Sequence, residues 1–209
     1  MKKGALIVIS GFSGAGKGTL VKKMLSTYDR FALSISMTTR APREGEVNGR
    51  EYFFVTREEF DKTVAEGGLL EHATYVGNSY GTPKAYVEKM IAEGKDVILE
   101  IEVQGALQVK EIFPEAILLF ITPPSIEVLR NRLIGRGTES EEVVNQRLSR
   151  AAEEVVLMDK YDYVVVNDDL DECMENAVKV IDTAKCAPIR NEHFIKGLKE
   201  ELAGFSKGV

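Results

Sequence analysis

Gly11-Phe12-Ser13-Gly14-Ala15-Gly16-Lys17 has the spacing G-x-x-x-x-G-K. Glycines so placed let the main chain curl until successive N–H groups point inward at phosphate oxygens. A helix that follows adds the positive end of its dipole, and the lysine reaches the β- and γ-phosphates. The context matches that demand. The apolar run Ala5–Ile9 leads in as a strand, and a helical pattern opens at Lys17 and runs to Thr27. Gly11 to Thr19 is therefore the candidate donor-phosphate site. Position 18 departs from the usual pattern: it is glycine where a Ser or Thr ordinarily holds the metal, and Thr19 follows. The direct metal ligand is left open by that departure.

The second dense constellation runs from Ser34 to Glu46 and holds Arg40-Ala41-Pro42-Arg43. Two arginines three apart, on a turn stiffened by proline, can converge on one phosphate as paired forks. By charge alone the segment is an ordinary solvated basic loop. Beside a phosphate loop it becomes a candidate second phosphate site. A third feature, Glu100-Ile101-Glu102, ends the apolar strand Asp96–Ile101. Ligands of open α/β sheets gather at such strand ends. The alternative for this pair is a purely structural role.

The elements that position these residues follow from periodicity. Ala5–Ile9, Asp96–Ile101, Ala116–Ile121 and Tyr163–Val166 are short and nearly continuously apolar, as strands covered on both faces are. Helical patterns lie at Lys17–Thr27, Pro83–Ala92, Gln104–Ile112, Ser125–Ile134 and Leu170–Ala184. Alternation of this kind predicts an α/β fold, a parallel sheet with helices on both sides. Two stretches break the rhythm. Residues 36–83 read as a small β-rich insert, with strands at Glu51–Val55 and Leu69–Tyr75. A helix near Glu58–Ala65 is opened by the capping box Thr56-Arg57-Glu58-Glu59. Residues 130–150 are Arg-rich around the turn Gly135-Arg136-Gly137-Thr138, and Thr138-x-x-Glu141 reads as a second capping box. Val143, Val144, Leu148 and Ala151 then face inward. The rest, 1–35, 84–129 and 151–209, forms the core. Ile189–Leu202 is amphipathic and carries no motif.

Composition narrows the class. A chain of 209 residues, 44% hydrophobic and 29% charged, buries a core unaided and is neither fibrous nor disordered. The net charge of −6 gives no field that draws the chain to nucleic acid or anionic lipid. Cys173 and Cys186 have no metal-ligand spacing and read as two reduced thiols. The N-terminal apolar run is too short for a signal sequence, and no stretch approaches a membrane span. The expectation is a soluble, cytoplasmic protein, monomeric or homo-oligomeric.

Taken together, the phosphate loop, Ser36-Met37-Thr38-Thr39-Arg40-Ala41-Pro42-Arg43, Asn48-Gly49-Arg50-Glu51-Tyr52, Leu70-Glu71, Gly77-Asn78-Ser79-Tyr80-Gly81-Thr82 and Gly135-Arg136-Gly137-Thr138 strongly resemble guanylate kinase, from about Gly4 to Ile181. Nucleoside monophosphate kinases use the Gly-Lys-Gly-Thr variant of the loop, with metal held largely through water and phosphate. The resemblance implies a P-loop nucleoside monophosphate kinase core, a GMP-binding insert and a short helical lid. The substrates would be ATP and GMP (dGMP also), with Mg²⁺ accompanying ATP. Arg40, Arg43, Tyr52 and Tyr80 would hold the GMP phosphate, and Ser36, Glu71 and Thr82 would read guanine, approached by Glu102. Lys17, Arg136 and Arg147 would act on the transferring phosphoryl. Arg132 would join them on the ATP side, and Asn167 and Asp168 would lie near adenine. Glu100 would organise magnesium, directly or through water. Many family members have Asp at positions 100 and 102, so the longer glutamates leave those contacts open.

The chemistry agrees on its own terms. Guanine offers two adjacent donors, N1–H and the 2-amino group, that one carboxylate can accept together, whereas adenine presents a lone pair there. The acceptor phosphate is already anionic, so His72 and His193 are not needed as general bases. Arg150, outside the motif, reads as a solvated neighbour of Arg147. Because the assigned arginines lie in three segments, insert and lid are expected to close over both nucleotides. The rival readings are a phosphopeptide-gripping scaffold module and a kinase for another nucleoside monophosphate. The intact Gly16-Lys17 argues against the first, and Glu71 with the Arg40/Arg43 loop against the second.

Overall fold

The structure, a computed structural model, describes residues 3–75, 77–135 and 140–205. In chain order the core begins with β1 (Leu6–Gly11), α1 (Lys17–Thr27) and β2 (Phe31–Leu33). The insert follows as β3 (Met37–Thr38), β4 (Phe53–Phe54), α2 (Arg57–Ala65), β5 (Leu69–Tyr75) and β6 (Asn78–Pro83). The core resumes with α3 (Lys84–Ala92), β7 (Asp96–Glu100), α4 (Val103–Ile112), β8 (Ile117–Thr122) and α5 (Ile126–Ile134). It ends with α6 (Glu141–Val155), β9 (Tyr163–Val166), α7 (Leu170–Ala184) and α8 (Glu192–Phe205).

The main sheet is parallel, in the order β2-β7-β1-β8-β9. Its middle is the most apolar part of the chain: all six residues of β1 are buried, as are the first five of β8. Helices α1 and α7 pack together over this sheet, while α3 touches β7 and α4 touches β1. The expected continuous burial fails at β9, an edge strand where Val164 and Val166 are 49% and 50% exposed. Helix α7 packs on β9, and the two half-exposed valines alternate with the buried Val165 on the strand's other face. A buried carboxylate locks the base of the sheet. Asp96 accepts from Ala5 N–H and from Lys185 Nζ, at 2.9 and 2.6 Å, tying β1 and the end of α7 to β7.

The insert sheet runs β4-β3-β6-β5, with β5–β6 a long antiparallel hairpin. β5 lies against α4, which docks the insert onto the core.

Helix starts were legible, with one correction. Thr56 forms the expected capping box with Glu59, and Ser125 caps α5. Helix α6, however, opens at Glu141 with Ser140 as its cap, accepting from Val143 N–H; Thr138, where a capping box was expected to begin, lies outside the described residues. Helix α8 confirms the amphipathic C-terminal pattern but leaves Phe194 and Leu202 66% and 64% exposed.

Candidate active site

The donor loop is shaped by close main-chain approaches. Gly11 has φ +146°, and a Cβ there would lie 2.0 Å from the Ile121 carbonyl of β8. Gly16 caps α1 in the left-handed region, φ +91°, where a Cβ would meet Asn167 Nδ2 at 2.4 Å. Only glycine fits both requirements at once. The Asn167 amide itself is buried and donates to the Ala15 carbonyl at 2.7 Å. Asn167, expected near adenine, thus spends its amide on bracing the loop. Phe12 packs its ring on Phe120 in the core, so the main chain of this residue, and not its side chain, faces the loop. Ala15 is likewise buried, while Ser13 and Thr19 are exposed.

Lys17 turns its ammonium back over the loop, donating to the carbonyls of Gly11 and Phe12 at 2.6 and 3.2 Å. The sheet register sets Ile9 beside Glu100 on one flank and Leu119 on the other. Glu100 therefore stands at the mouth of the loop. A Cβ on Gly18 would lie 3.5 Å from its carboxylate. The smallest residue at 18 keeps the space between helix start and carboxylate open. Although Glu100 is exposed, partial desolvation in the cleft raises its pKa above the usual carboxylate range, against the pull of Lys17 and Lys22.

Across the cleft, Glu71 on β5 is only 9% exposed. Thr82 Oγ1 on β6 donates to its Oε1 at 2.7 Å. Gly105 of α4 leaves room for its other oxygen, which would stand 3.2 Å from a Cβ there. Burial raises the Glu71 pKa, and the Thr82 hydrogen bond and His72 offset this only in part. Leu33, Ser36, Tyr52, Thr82 and Glu100 line a cleft of about 170 Å³ between insert and core. The pair expected to read guanine, Glu71 and Thr82, is therefore joined directly, with Ser36 on the same cleft.

The phosphate end of the insert is aromatic and basic. The Arg40 guanidinium lies over the Tyr52 ring at 5.3 Å, and Tyr52 meets Tyr80 edge-on at 6.0 Å. Arg40 also donates to Glu46 at 2.9 Å and to the Ala41 carbonyl at 2.9 Å. Its pKa is raised, chiefly by the Glu46 hydrogen bond. Arg43 is exposed on the same turn, where its main-chain N–H donates to Glu46.

In the segment expected to form a lid, Arg147 of α6 donates to Ser13 Oγ of the glycine loop at 2.7 Å, so α6 reaches that loop. Arg132, on α5, donates to the main-chain carbonyls of Asn167 and Asp168, at 2.8 and 3.3 Å. It is held at the strand end expected to meet adenine. Arg136 lies outside the described residues. Two placements differ from the sequence reading. Glu102, expected to approach guanine, is 71% exposed and pairs with Arg150 at 3.1 Å. Arg150, read as merely solvated, links α6 to the head of α4 and also to Glu154. No spacing in the sequence announces that contact, because it depends on how the lid helix lies across the core.

Among the described residues, no group of three or more His, Cys, Asp or Glu side chains is arranged to hold a metal ion. No described helix is long and apolar enough to cross a membrane.

Comparison with known proteins agrees with this geometry. The guanylate kinase family model matches residues 3–184. The chain is 52% identical to guanylate kinase of Bacillus cereus (strain ZK / E33L), over 97% of this chain and 98% of that one. It is 54% identical to guanylate kinase of Lactococcus lactis, over 87% and 88%. The crystal structure of guanylate kinase from Anaplasma phagocytophilum superposes with a TM-score of 0.67 at 34% identity, covering 90% of each chain.

Proposed function

This chain belongs to the guanylate kinase family, and on that premise we propose which of its residues carry the reaction. The enzyme transfers the γ-phosphoryl group of ATP to GMP, giving ADP and GDP. The observation that best supports the residue assignment is the facing pair of sites. A glycine loop bearing Lys17 stands on the core, and Glu71 with Thr82 stands across the cleft on the insert.

ATP lies along the loop from Gly11 to Thr19, its phosphates taking main-chain N–H groups and the α1 dipole. Lys17 exchanges its two loop carbonyls for the β- and γ-phosphates. Arg147, already beside Ser13, stabilises charge on the transferring phosphoryl together with Arg136. Arg132 supports the Asn167-Asp168 segment at the adenine end. GMP enters between insert and core. Its phosphate meets Arg40, Arg43, Tyr52 and Tyr80, and its base meets Ser36, Glu71 and Thr82. Thr82 holds one Glu71 oxygen, which orients the carboxylate toward guanine N1–H and the 2-amino group. Glu102 lies farther out and reaches the base only by leaving Arg150.

The donor set fits Mg²⁺ bound mainly through nucleotide phosphates and water. Glu100 is a single hard carboxylate at the loop mouth, and Gly18 brings no hydroxyl. When bound, the ion neutralises charge that builds on the phosphoryl oxygens. No general base is required, since the attacking phosphate is already anionic.

The test is ADP release from ATP with GMP, dGMP, AMP, CMP, UMP and dTMP as acceptors. Turnover is expected with the two guanine nucleotides. Comparable kcat/KM for AMP would defeat the assignment of base reading to Glu71.

A further inference from the structure

The turn that follows Arg40 carries two glutamates, and only one of them faces inward. Glu44 is exposed, whereas the Glu46 side chain is 18% exposed and meets an Arg40 side chain that is 14% exposed. Gly45 has φ +84°, which suits the third position of a type II turn, and Glu46 N–H closes that turn onto the Arg43 carbonyl at 3.1 Å. The turn thereby brings the Glu46 carboxylate back over its own start. One oxygen accepts from Arg40 Nη2 at 2.9 Å and the other from Arg43 N–H at 2.7 Å.

We propose that Glu46 is a positioning residue for the acceptor phosphate: its carboxylate fixes the Arg40 guanidinium and the Arg43 main chain in the arrangement the phosphate requires. This rests on the reading of Arg40 and Arg43 as the GMP-phosphate site. Most ion pairs on a protein surface do little, because two long side chains lose entropy to hold one geometry. This pair differs in having both carboxylate oxygens engaged, low exposure on both partners, and the Tyr52 and Phe54 rings near the guanidinium, at 5.3 and 5.8 Å. Arginine has five N–H donors in a fixed fork. With Glu46 on one nitrogen, the Ala41 carbonyl on the other and Tyr80 also bonded to the guanidinium, the plane of the fork is set while part of its five N–H groups is left for a ligand. The carboxylate also brings negative charge near a phosphate site, so holding and repulsion oppose each other. Because these contacts orient the fork and engage only part of its N–H groups, holding is expected to win.

The experiment is steady-state kinetics of Glu46→Gln and Glu46→Asp beside Arg40→Ala, with melting temperatures for each. Glu46→Gln keeps the shape and loses the charge-assisted bonds. Its KM for GMP is expected to rise about tenfold, with KM for ATP unchanged and kcat at saturating GMP within about twofold. Inorganic phosphate, used as a competitor of GMP, should weaken in parallel. Glu46→Asp, with charge but one methylene less reach, should fall between wild type and Glu46→Gln. An unchanged or lowered KM for GMP in Glu46→Gln, with Arg40→Ala still raising it, overturns the proposal and leaves the acceptor site standing. If Arg40→Ala also leaves that KM unchanged, the acceptor-site reading falls and the proposal with it. Equal losses for GMP and ATP, accompanied by a lower melting temperature, would make Glu46 a folding residue and likewise overturn it.

Discussion

Around the proposed donor-phosphate site the chain is fixed by its main chain: Gly11 abuts the Ile121 carbonyl, Gly16 abuts Asn167, and Ala15 O accepts the buried Asn167 amide. Around the proposed acceptor-phosphate site it is fixed by side chains on and beside a small sheet: Arg40 on Tyr52, Glu46 on Arg40, Arg43 exposed at the turn. The first arrangement is set by steric fit inside the core, where a small displacement has many neighbours to overcome. The second is set by a few polar contacts near solvent, which yield one at a time. Substitutions should therefore act all-or-none on the donor side and by degrees on the acceptor side.

The largest expected effect tests the donor half. Lys17→Ala leaves the glycine scaffold intact but removes the cation that follows charge onto the γ-phosphoryl. Loss of one such stabilising group costs about 10²–10³ in turnover. The expected outcome is kcat lowered by that factor, with GMP affinity measured by calorimetry close to wild type. A folded variant with near-normal turnover would mean that the loop holds ATP without acting on it. GMP affinity lost in step with turnover would mean that the two halves are not separable.

A smaller effect sharpens the acceptor half. Inosine monophosphate keeps N1–H and lacks the 2-amino group, so it forfeits one hydrogen bond to the Glu71 carboxylate. That bond is worth about 1.5–3 kcal/mol, or roughly one to two decades in kcat/KM. AMP should be poorer still. Glu71→Gln is expected to lower GMP activity and to compress the ratio of GMP to AMP, since an amide both donates and accepts. If the variant keeps the wild-type ratio, the base is read elsewhere. Glu102 would then have to leave Arg150 and become the candidate.

The same contrast explains what was legible in the sequence. The donor half could be read because a local pattern sets it: a buried strand, a glycine spacing and a helix start follow one another along the chain. β1, β7 and β8 announced themselves as apolar runs. β2 and β3, of three and two residues, did not, because strands that short have no periodicity and exist only through the partners β7, β4 and β6. Glu71 and Thr82 were nameable from the resemblance, but their direct bond depends on the β5–β6 hairpin register. The pairing of Glu102 with Arg150 joins residues 48 apart, one capping α4 and one on α6, and charge pattern along the chain carries no trace of it. The α6 cap is Ser140, although the spacing to Glu141 points to an earlier hydroxyl, because the sequence does not show where the preceding turn ends.

The smallest expected effect separates what Glu71 does for the ligand from what it does to the empty fold. Burial raises its pKa in the folded protein above the value of an unfolded carboxylate. The native state then binds the proton more tightly than the unfolded chain does. Stability accordingly falls as pH rises from the ordinary carboxylate pKa through the raised one. Glu71→Gln cannot ionise, and its amide oxygen still accepts from Thr82. In the absence of nucleotide it should melt above wild type at pH 7.5, by roughly 2–4 °C if the relief is about 1 kcal/mol. The advantage should shrink toward zero near pH 4. With saturating GMP the order should reverse, because wild type binds the ligand more tightly and gains more from it. Thermal melts of both proteins at the two pH values, with and without GMP, check all three signs. A variant that melts below wild type at neutral pH without ligand would show that the ionised carboxylate is held by more than the Thr82 hydroxyl, and the acceptor site would then be as firmly preformed as the donor loop.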